Sequence, residues 1–358
     1  MDLFRRYPKP FYDNQFVYGR TSKHVMPEHK FPQVLDLGHG VVTALLHRED
    51  SPWRLEIDGE RVELYYNGRY IRDVSLPERP PYFGKTLSDG TPTESIIAVA
   101  GAQTPGFFLY PGCVFFDQRK PCKFCSLKAT RLTAGKSMES HFTPQKVAEA
   151  TRIFQQTNWR PLPLISITAG TALNDEETRE MIIKPIRAIY DACDPKIQIH
   201  TLVHPPQDFR LIEEYKEAGV TSIAFNIEVF DRQIFQYVAP LKHEGYGYDR
   251  WFEAVNRAVE VFGEYRAFCG VIWGLEPVES TMQGNEQIIQ QGIGITSNIF
   301  HSDPGSAFGD HPHPSEESLM ILARHTQRLY KEYPRARTIF EVSMRSTIDW
   351  EAKRGDFS

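Results

Sequence analysis

The sequence contains no run of about eighteen apolar residues, the length a helix needs to cross a bilayer, which excludes a spanning helix. Its start, Met1 to Lys9, mixes Arg5, Arg6 and Lys9 with aromatics and is not followed by the apolar core of a secretion signal, so a cytoplasmic protein is expected. A basic excess is missing as well. The formal net charge is -5, which leaves no electrostatic footprint for nucleic acid. Cysteine is scarce and odd in number, five in 358 residues, so an even disulfide framework is excluded. Three of the five fall within a thirteen-residue window, and clustered thiols in a reducing compartment point to metal. No second close pair exists, because Cys193 and Cys269 stand alone.

What is present is enough chain for one large α/β domain with a smaller one attached. From Val34 to Val74 the pattern is a small antiparallel meander, since Asp58-Gly59 and Asn67-Gly68 separate β-rich runs and are strong hairpin signals. The stretch Leu76–Thr93, rich in proline and glycine, reads as a linker. Residues 1–95 are therefore expected to form an N-terminal β module with its linker, 96–310 a β/α domain, and 311–358 a C-terminal helix and tail packed on that domain.

The β/α domain shows six candidate strands: Gly106–Tyr110, Leu164–Ala169, Lys196–Val203, Ser222–Val229, Arg266–Ile272 and Gly294–Phe300. Thr143-Pro144 and Ser315-Glu316-Glu317 have the chemistry of helix starts. Several strands alternate polar with apolar residues. Ser222, Ala224, Asn226 and Glu228 would share one face, as would Ser166 with Thr168, and Gln198 with His200 and His204. A parallel sheet sandwiched between helices would be apolar on both faces. A polar face suits a lumen, with ligands at the C-terminal strand ends, and the expected fold is an α/β (β/α)6 partial TIM barrel.

Cys113, eight intervening residues, Cys122, two more and Cys125 follow the first of these strands. Three thiolates from one loop can ligate three irons of a cubane and leave the fourth open as a reaction site. The alternatives are a zinc-binding β/α hydrolase using the same cysteines structurally with His311 and His313 at work, or a non-catalytic iron–sulfur or metal-binding protein. Phe124 suits core packing or a nucleotide neighbour, Gly170 and Gly274 suit strand-end turns, and His200, His204 and Glu228 suit the polar face.

A cluster loop ending in Cys-x-aromatic-Cys and followed by β/α repeats resembles the radical S-adenosylmethionine (SAM) superfamily, in its biotin-synthase-like branch. The commonest family spacing is Cys-x3-Cys-x2-Cys, so the x8 gap departs from it. Thr168-Ala169-Gly170-Thr171 stands where the family binds the SAM amino group, and Gly270-Val271-Ile272-Trp273-Gly274-Leu275-Glu276 resembles the strand lying against adenine. Asn226-Ile227-Glu228 stands where a polar strand residue contacts the ribose or methionine part, and Asp303-Pro304-Gly305-Ser306 resembles the turn after the sixth strand. The resemblance implies a [4Fe–4S] cluster on Cys113, Cys122 and Cys125, and SAM contacts from Phe124, Thr168, Gly170, Thr171, Asn226, Glu228, Ile272 and Gly274. It also implies an oxygen-sensitive radical reaction on a small-molecule or cofactor-precursor substrate, with Glu228, His200 and His204 as candidate acid–base groups. An electron donor such as flavodoxin or ferredoxin is implied too.

Overall fold

The computed structural model describes residues 34–44, 51–58, 61–75, 80–100, 104–134, 139, 142–157, 164–303, 305–344 and 347–357. Its centre is a seven-stranded mixed sheet curled into a half-barrel. Six strands run parallel: β7 (Thr104–Tyr110), β8 (Leu164–Ala169), β9 (Gln198–Leu202), β10 (Ser222–Ala224), β11 (Ala267–Trp273) and β12 (Gly294–Ile299). Strand β6 (Ile97–Ala100) pairs antiparallel with β7 and was not expected. It forms one edge, and β12 forms the other.

Outside the curl, Ile165, Ile167, Ile199, Ile223 and Trp251 are fully buried within one apolar core that also contains the inner faces of the helices. The expected helix starts are present. Thr143 Oγ1 accepts from Lys146 N ahead of α3 (Pro144–Gln155), and Ser315 Oγ accepts from Ser318 N ahead of α11 (Glu316–Glu332). Two short helices precede α3: α1 (Val114–Asp117) and α2 (Leu127–Ala134). Then come α4 (Asp175–Thr178), a π turn over Arg179–Ile183, α5 (Lys184–Ala192), α6 (Arg210–Glu217), α7 (Arg232–Val238), α8 (Pro240–Gly245), α9 (Tyr248–Phe262) and α10 (Val278–Gln290).

The registers sort the inner residues into layers, and the layers correct the simple picture of a polar lumen. Gly106, Ser166, His200 and Ser222 are partners across the lower level. The next level joins Phe108, Thr168, Leu202, Ala224 and Phe268, where Thr168 alone is polar. Beneath the first of these levels, Phe340 stands edge-on to His200, so the C-terminal segment closes the floor. The alternation expected over Ser222–Val229 also fails after Ala224. Phe225 N donates to Phe268 O, and the next such bond to β11 runs from Glu228 N to Gly270 O, one residue later than a regular ladder allows. The extra residue makes a bulge, with Glu228 at φ +76°.

The N-terminal strands form two small sheets, β1 (Val34–Gly38) with β2 (Val41–Ala44), and β3 (Trp53–Asp58) with β4 (Arg61–Tyr66) and β5 (Arg69–Val74). The Asn67-Gly68 turn joins β4 to β5 with both residues at positive φ, as its sequence predicts. Gly59, in the other expected turn, lies outside the described residues. The β1–β2 hairpin is bound to the C-terminal segment: Val42 N donates to Ser343 Oγ at 3.0 Å, and Arg354 Nη1 donates to the His39 carbonyl.

That segment ends in α12 (Asp349–Arg354), which covers the β12 edge. Asp349 Oδ2 accepts from Ser297 N at 2.8 Å, while Oδ1 is buried without a partner. Burial pushes the Asp349 carboxyl up to about 7, against the Ser297 bond and with Glu351 adding to it. A folded-state value above the unfolded one means that folding takes up a proton between the two. The contribution of this group to stability is therefore expected to be full below about pH 4 and to be lost as pH rises toward 7, by on the order of 4 kcal/mol. Apparent Tm measured from pH 5 to pH 8 checks this: Asp349→Asn should flatten the decline, and an unchanged slope would refute it.

Candidate active site

The cluster loop begins at the C-terminal end of β7. Cys113 caps α1, whose single turn ends where Arg119 takes a left-handed conformation, φ +58°. Lys120 N then donates back to Phe115 O, and Pro121 leads into Cys122. The wide first gap is thus one helical turn folded outward, with Asp117 to Lys120 exposed. Cys125 N donates to Cys122 O, closing the short gap as a tight turn.

The end of β8, the end of α7 and the segment after β12 brace this loop. Gly170 N donates to Tyr110 O, and Val114 N donates to Thr171 O, fixing the end of β8 against the loop's first residues. A Cβ on Gly170 would lie 1.7 Å from the Gly112 carbonyl oxygen and 3.1 Å from Cys113 Cβ, so only glycine permits this approach. Lys123 N donates to Val238 O at the end of α7, and Lys123 O accepts from Phe308 N. Ser126 Oγ donates to Asp303 Oδ2 at 2.8 Å in a buried contact, and Asp303 Oδ1 pairs with His301 Nδ1. Gly305 then presses on α2, where its Cβ would meet Ala129 at 2.5 Å. The segment after the sixth strand therefore packs on the cluster loop.

Cys113 lies close enough to disfavour the ionisation of Cys122 and Cys125. Burial pushes Cys125 up to about 11, with Cys113 and Glu228 contributing, and it raises Cys122 further. Among the described residues no three His, Cys, Asp or Glu side chains converge as one metal ion requires. A cubane distributes its thiolates over separate irons, whereas zinc draws its ligands to about 2.3 Å from a single centre.

Beneath the loop lies a group that the sequence did not reveal. Lys242, on α8, places Nζ 2.5 Å from Glu228 Oε1, 2.9 Å from the Asn226 carbonyl and 4.7 Å from the centre of the Trp251 ring. Burial works to lower the Lys242 pKa, but Glu228 and the Cys122 thiol outweigh it and leave the ammonium favoured. Glu228 is raised by burial and held back by Lys242. Nothing in the local pattern Ala239-Pro240-Leu241-Lys242 marks this lysine, because its partner is fourteen residues away, on the far side of α7 in the chain.

The other expected residues disperse. Asn226 lies over Gly270, with Oδ1 buried and without a hydrogen-bond partner. Ile272 N donates to the Glu228 carbonyl at 2.7 Å, and Gly274, at φ +99°, is packed on Pro314. Phe124 is partly buried against the core. Thr168 lies in the second level of the lumen, partnered with Phe108 and Leu202. His204 stacks edge-on with Phe115, Tyr246 and Trp251, and burial with Lys242 nearby pushes it down to about 3. His200 bonds Ser222 Oγ at 2.9 Å, and burial pushes it to about 3 as well. Its register partner Ser166 is four residues below Gly170, about 13 Å along the strand, so His200 stands far beneath the cluster loop. A second missed contact is Glu276, whose carboxylate accepts from Phe230 N, Asp231 N and Thr281 Oγ1 and so pins the chain after the Glu228 bulge.

Comparison with known proteins agrees with this arrangement. Residues 107–279 match the Radical SAM superfamily. The chain belongs to that superfamily and is a radical SAM enzyme. It is 23% identical over 312 residues to the bacteriochlorophyllide c C-7(1)-hydroxylase of Chlorobaculum limnaeum, covering 82% of this chain and 77% of that one. Among solved structures it is similar to a radical SAM methyltransferase from Sphaerobacter thermophilus, with a TM-score of 0.45 and 12% identity over 78% of this chain and 75% of that one. It is also similar to coproporphyrinogen III oxidase from Escherichia coli, with a TM-score of 0.39, 14% identity and coverage of 53% and 44%. The chain thus spans less than half of the oxidase. Membership implies a [4Fe–4S] cluster and SAM as cofactors. The residues fit them: three thiols on one loop, an orphaned Asn226 oxygen below it, and a glycine-permitted approach at Gly170. No helix among the described residues is long and apolar enough to cross a membrane.

Proposed function

We propose that this chain holds its cluster through Cys113, Cys122 and Cys125 and acts by hydrogen abstraction on a small-molecule or cofactor-precursor substrate. When bound, the cluster and SAM supply an electron and a 5′-deoxyadenosyl radical for that abstraction. The observation that carries the assignment is the gathering of three thiols on a loop braced by Gly170, Val238 and Asp303 at the C-terminal rim of the half-barrel.

The chain's own residues bind and orient. Lys242 sets a fixed cation under the loop, anchored by Glu228, where it can attract an anionic ligand group while being held from moving. Asn226 offers an unsatisfied acceptor, which favours a donor-bearing ligand group over the Gly270 backbone. Both histidines are kept neutral by burial, so His200 and His204 serve as wall residues, and acid–base work falls to Glu228 among the candidates. The named substrate of the Chlorobaculum relative, a bacteriochlorophyllide, favours a small-molecule substrate here.

Anaerobic reconstitution with iron and sulfide tests the reading. The expected product is a brown protein that converts SAM to 5′-deoxyadenosine when reduced with dithionite. A colourless protein that holds zinc instead overturns it in favour of the hydrolase alternative.

A further inference from the structure

At the end of the half-barrel opposite the cluster loop, a cavity of about 50 Å³ lies between the starts of the strands and the C-terminal segment. Two arginines line it: Arg266 at the foot of β11, and Arg337 in the segment that brings Phe340 under His200. Arg266 continues the strand ladder, because its carbonyl accepts from Ile223 N. It stands two residues before Phe268, whose ring lies 5.6 Å from that of His200 in the lumen, so alternation turns the Arg266 side chain to the same inner face. Both arginines are half-buried, and neither has an ion pair or a side-chain hydrogen bond among the described residues.

Like charges drawn together out of bulk water repel and lose hydration unless an anion lies between them. Lys353 adds to the excess. Its ammonium donates to the Ala336 carbonyl at 2.5 Å; burial, and then the neighbouring charge of Arg337, hold its pKa below the usual lysine value, while Glu341 works against them. The one acid in the lining, Glu341, is exposed and pairs with neither arginine. The rest of the wall offers neutral donors. Gln198 presents an amide, and Ser222 Oγ lies 2.9 Å from His200 Nδ1. Burial keeps His200 neutral, so its Nδ1–H can donate to Ser222 Oγ and leave the hydroxyl proton for a ligand. At about 10–15 Å³ for each water-sized sphere, the cavity has room for about four such atoms, the number of oxygens in a tetrahedral oxyanion.

We propose that this cavity binds a tetrahedral oxyanion, inorganic phosphate or the phosphate group of a small ester, between Arg266 and Arg337. Guanidinium groups present paired N–H donors that match two oxygens of such an anion. One arginine belongs to the barrel and the other to the C-terminal segment, so the bound anion ties that segment across the floor. The site is separate from the cluster loop and from Lys242, which lie at the other end of the strands, and binding here needs neither cluster nor SAM.

The test is calorimetric titration of the full chain, as the reconstituted holoenzyme, with inorganic phosphate at an ionic strength held constant by chloride, and in parallel with glycerol 3-phosphate. Arg266→Gln and Arg337→Gln should each weaken the Kd for phosphate about tenfold, the size of one charge-assisted contact. Arg335→Gln, an exposed arginine paired with Glu264 outside the cavity, should leave Kd within about twofold. Glu341→Gln should tighten binding about threefold, a gain that misfolding cannot produce. Phosphate binding at least as tight as that of the ester, with the same dependence on both arginines, identifies the free ion as the ligand; the reverse order identifies the phosphate group of a larger molecule. Absence of binding by either probe up to about 10 mM overturns the proposal. So does binding that ignores Arg266 and Arg337, or that Arg335→Gln weakens as much as they do, which is the signature of net charge alone.

Discussion

Cys122→Ala is expected to yield a colourless protein after anaerobic reconstitution, with iron well below the roughly four atoms per chain that a cubane brings. Deoxyadenosine formation should fall at least about a thousandfold, to background, because the reaction has no electron source without the cluster. The fold should survive. The substitution removes one sulfur from a loop that is held by backbone bonds to Val238, Phe308 and Thr171, none of which uses the thiol. Cys193→Ser is the matched control, since Cys193 lies at the end of α5 and is electrostatically coupled to Asp194 and not to the other thiols. Circular dichroism identical to the parent, with loss of colour in Cys122→Ala and its retention in Cys193→Ser, identifies the ligand set. Colour and turnover retained in Cys122→Ala would mean that the cluster is held elsewhere.

The gathering of Cys113, Cys122 and Cys125 was readable in the sequence because all three are supplied by one loop, so spacing alone brings them together. The same is true of the helix caps at Thr143 and Ser315, where the bond closes within four residues. Six parallel strands were readable from their β-rich runs between helical patterns. The seventh, Ile97–Ala100, was missed because it lies where the composition changes from linker to domain, and its antiparallel pairing with β7 is set by a connection too short to show a pattern.

What failed was inference about faces and environments. Alternation over Ser222–Val229 assumes a regular ladder, and the bulge before Glu228 brings Asn226 over Gly270, a residue forty-four positions away. His200 and His204 looked alike as polar residues in strand-like runs. Their surroundings differ, one in the floor of the lumen and one among aromatics at the rim, and burial suppresses the charge of both. Ser126 and Asp303 meet across 177 positions, and no short-range signal can encode such a contact.

Lys242→Met tests the part of the site that only the fold could reveal. In the parent, Lys242 and Glu228 are about nine-tenths buried, and the ammonium also bonds the Asn226 carbonyl. Methionine keeps the length and the packing on Trp251 but leaves the Glu228 carboxylate buried and uncompensated, which costs about 3–5 kcal/mol. For a chain of this size that corresponds to a fall in Tm of about 4–7 °C. Adding Glu228→Gln to Lys242→Met removes the stranded charge, so the double variant should recover more than half of the loss. The cluster should still assemble in both variants, because neither residue is a ligand. Deoxyadenosine formation should nevertheless stay low in the double variant, since the fixed cation under the loop and the Glu228 carboxylate are both gone while the stability is restored. A Lys242→Met protein within about 2 °C of the parent would show that the pair is not a buried ion pair in solution. Full activity in the stabilised double variant would confine Lys242 to the architecture of the loop, with no part in holding the ligand.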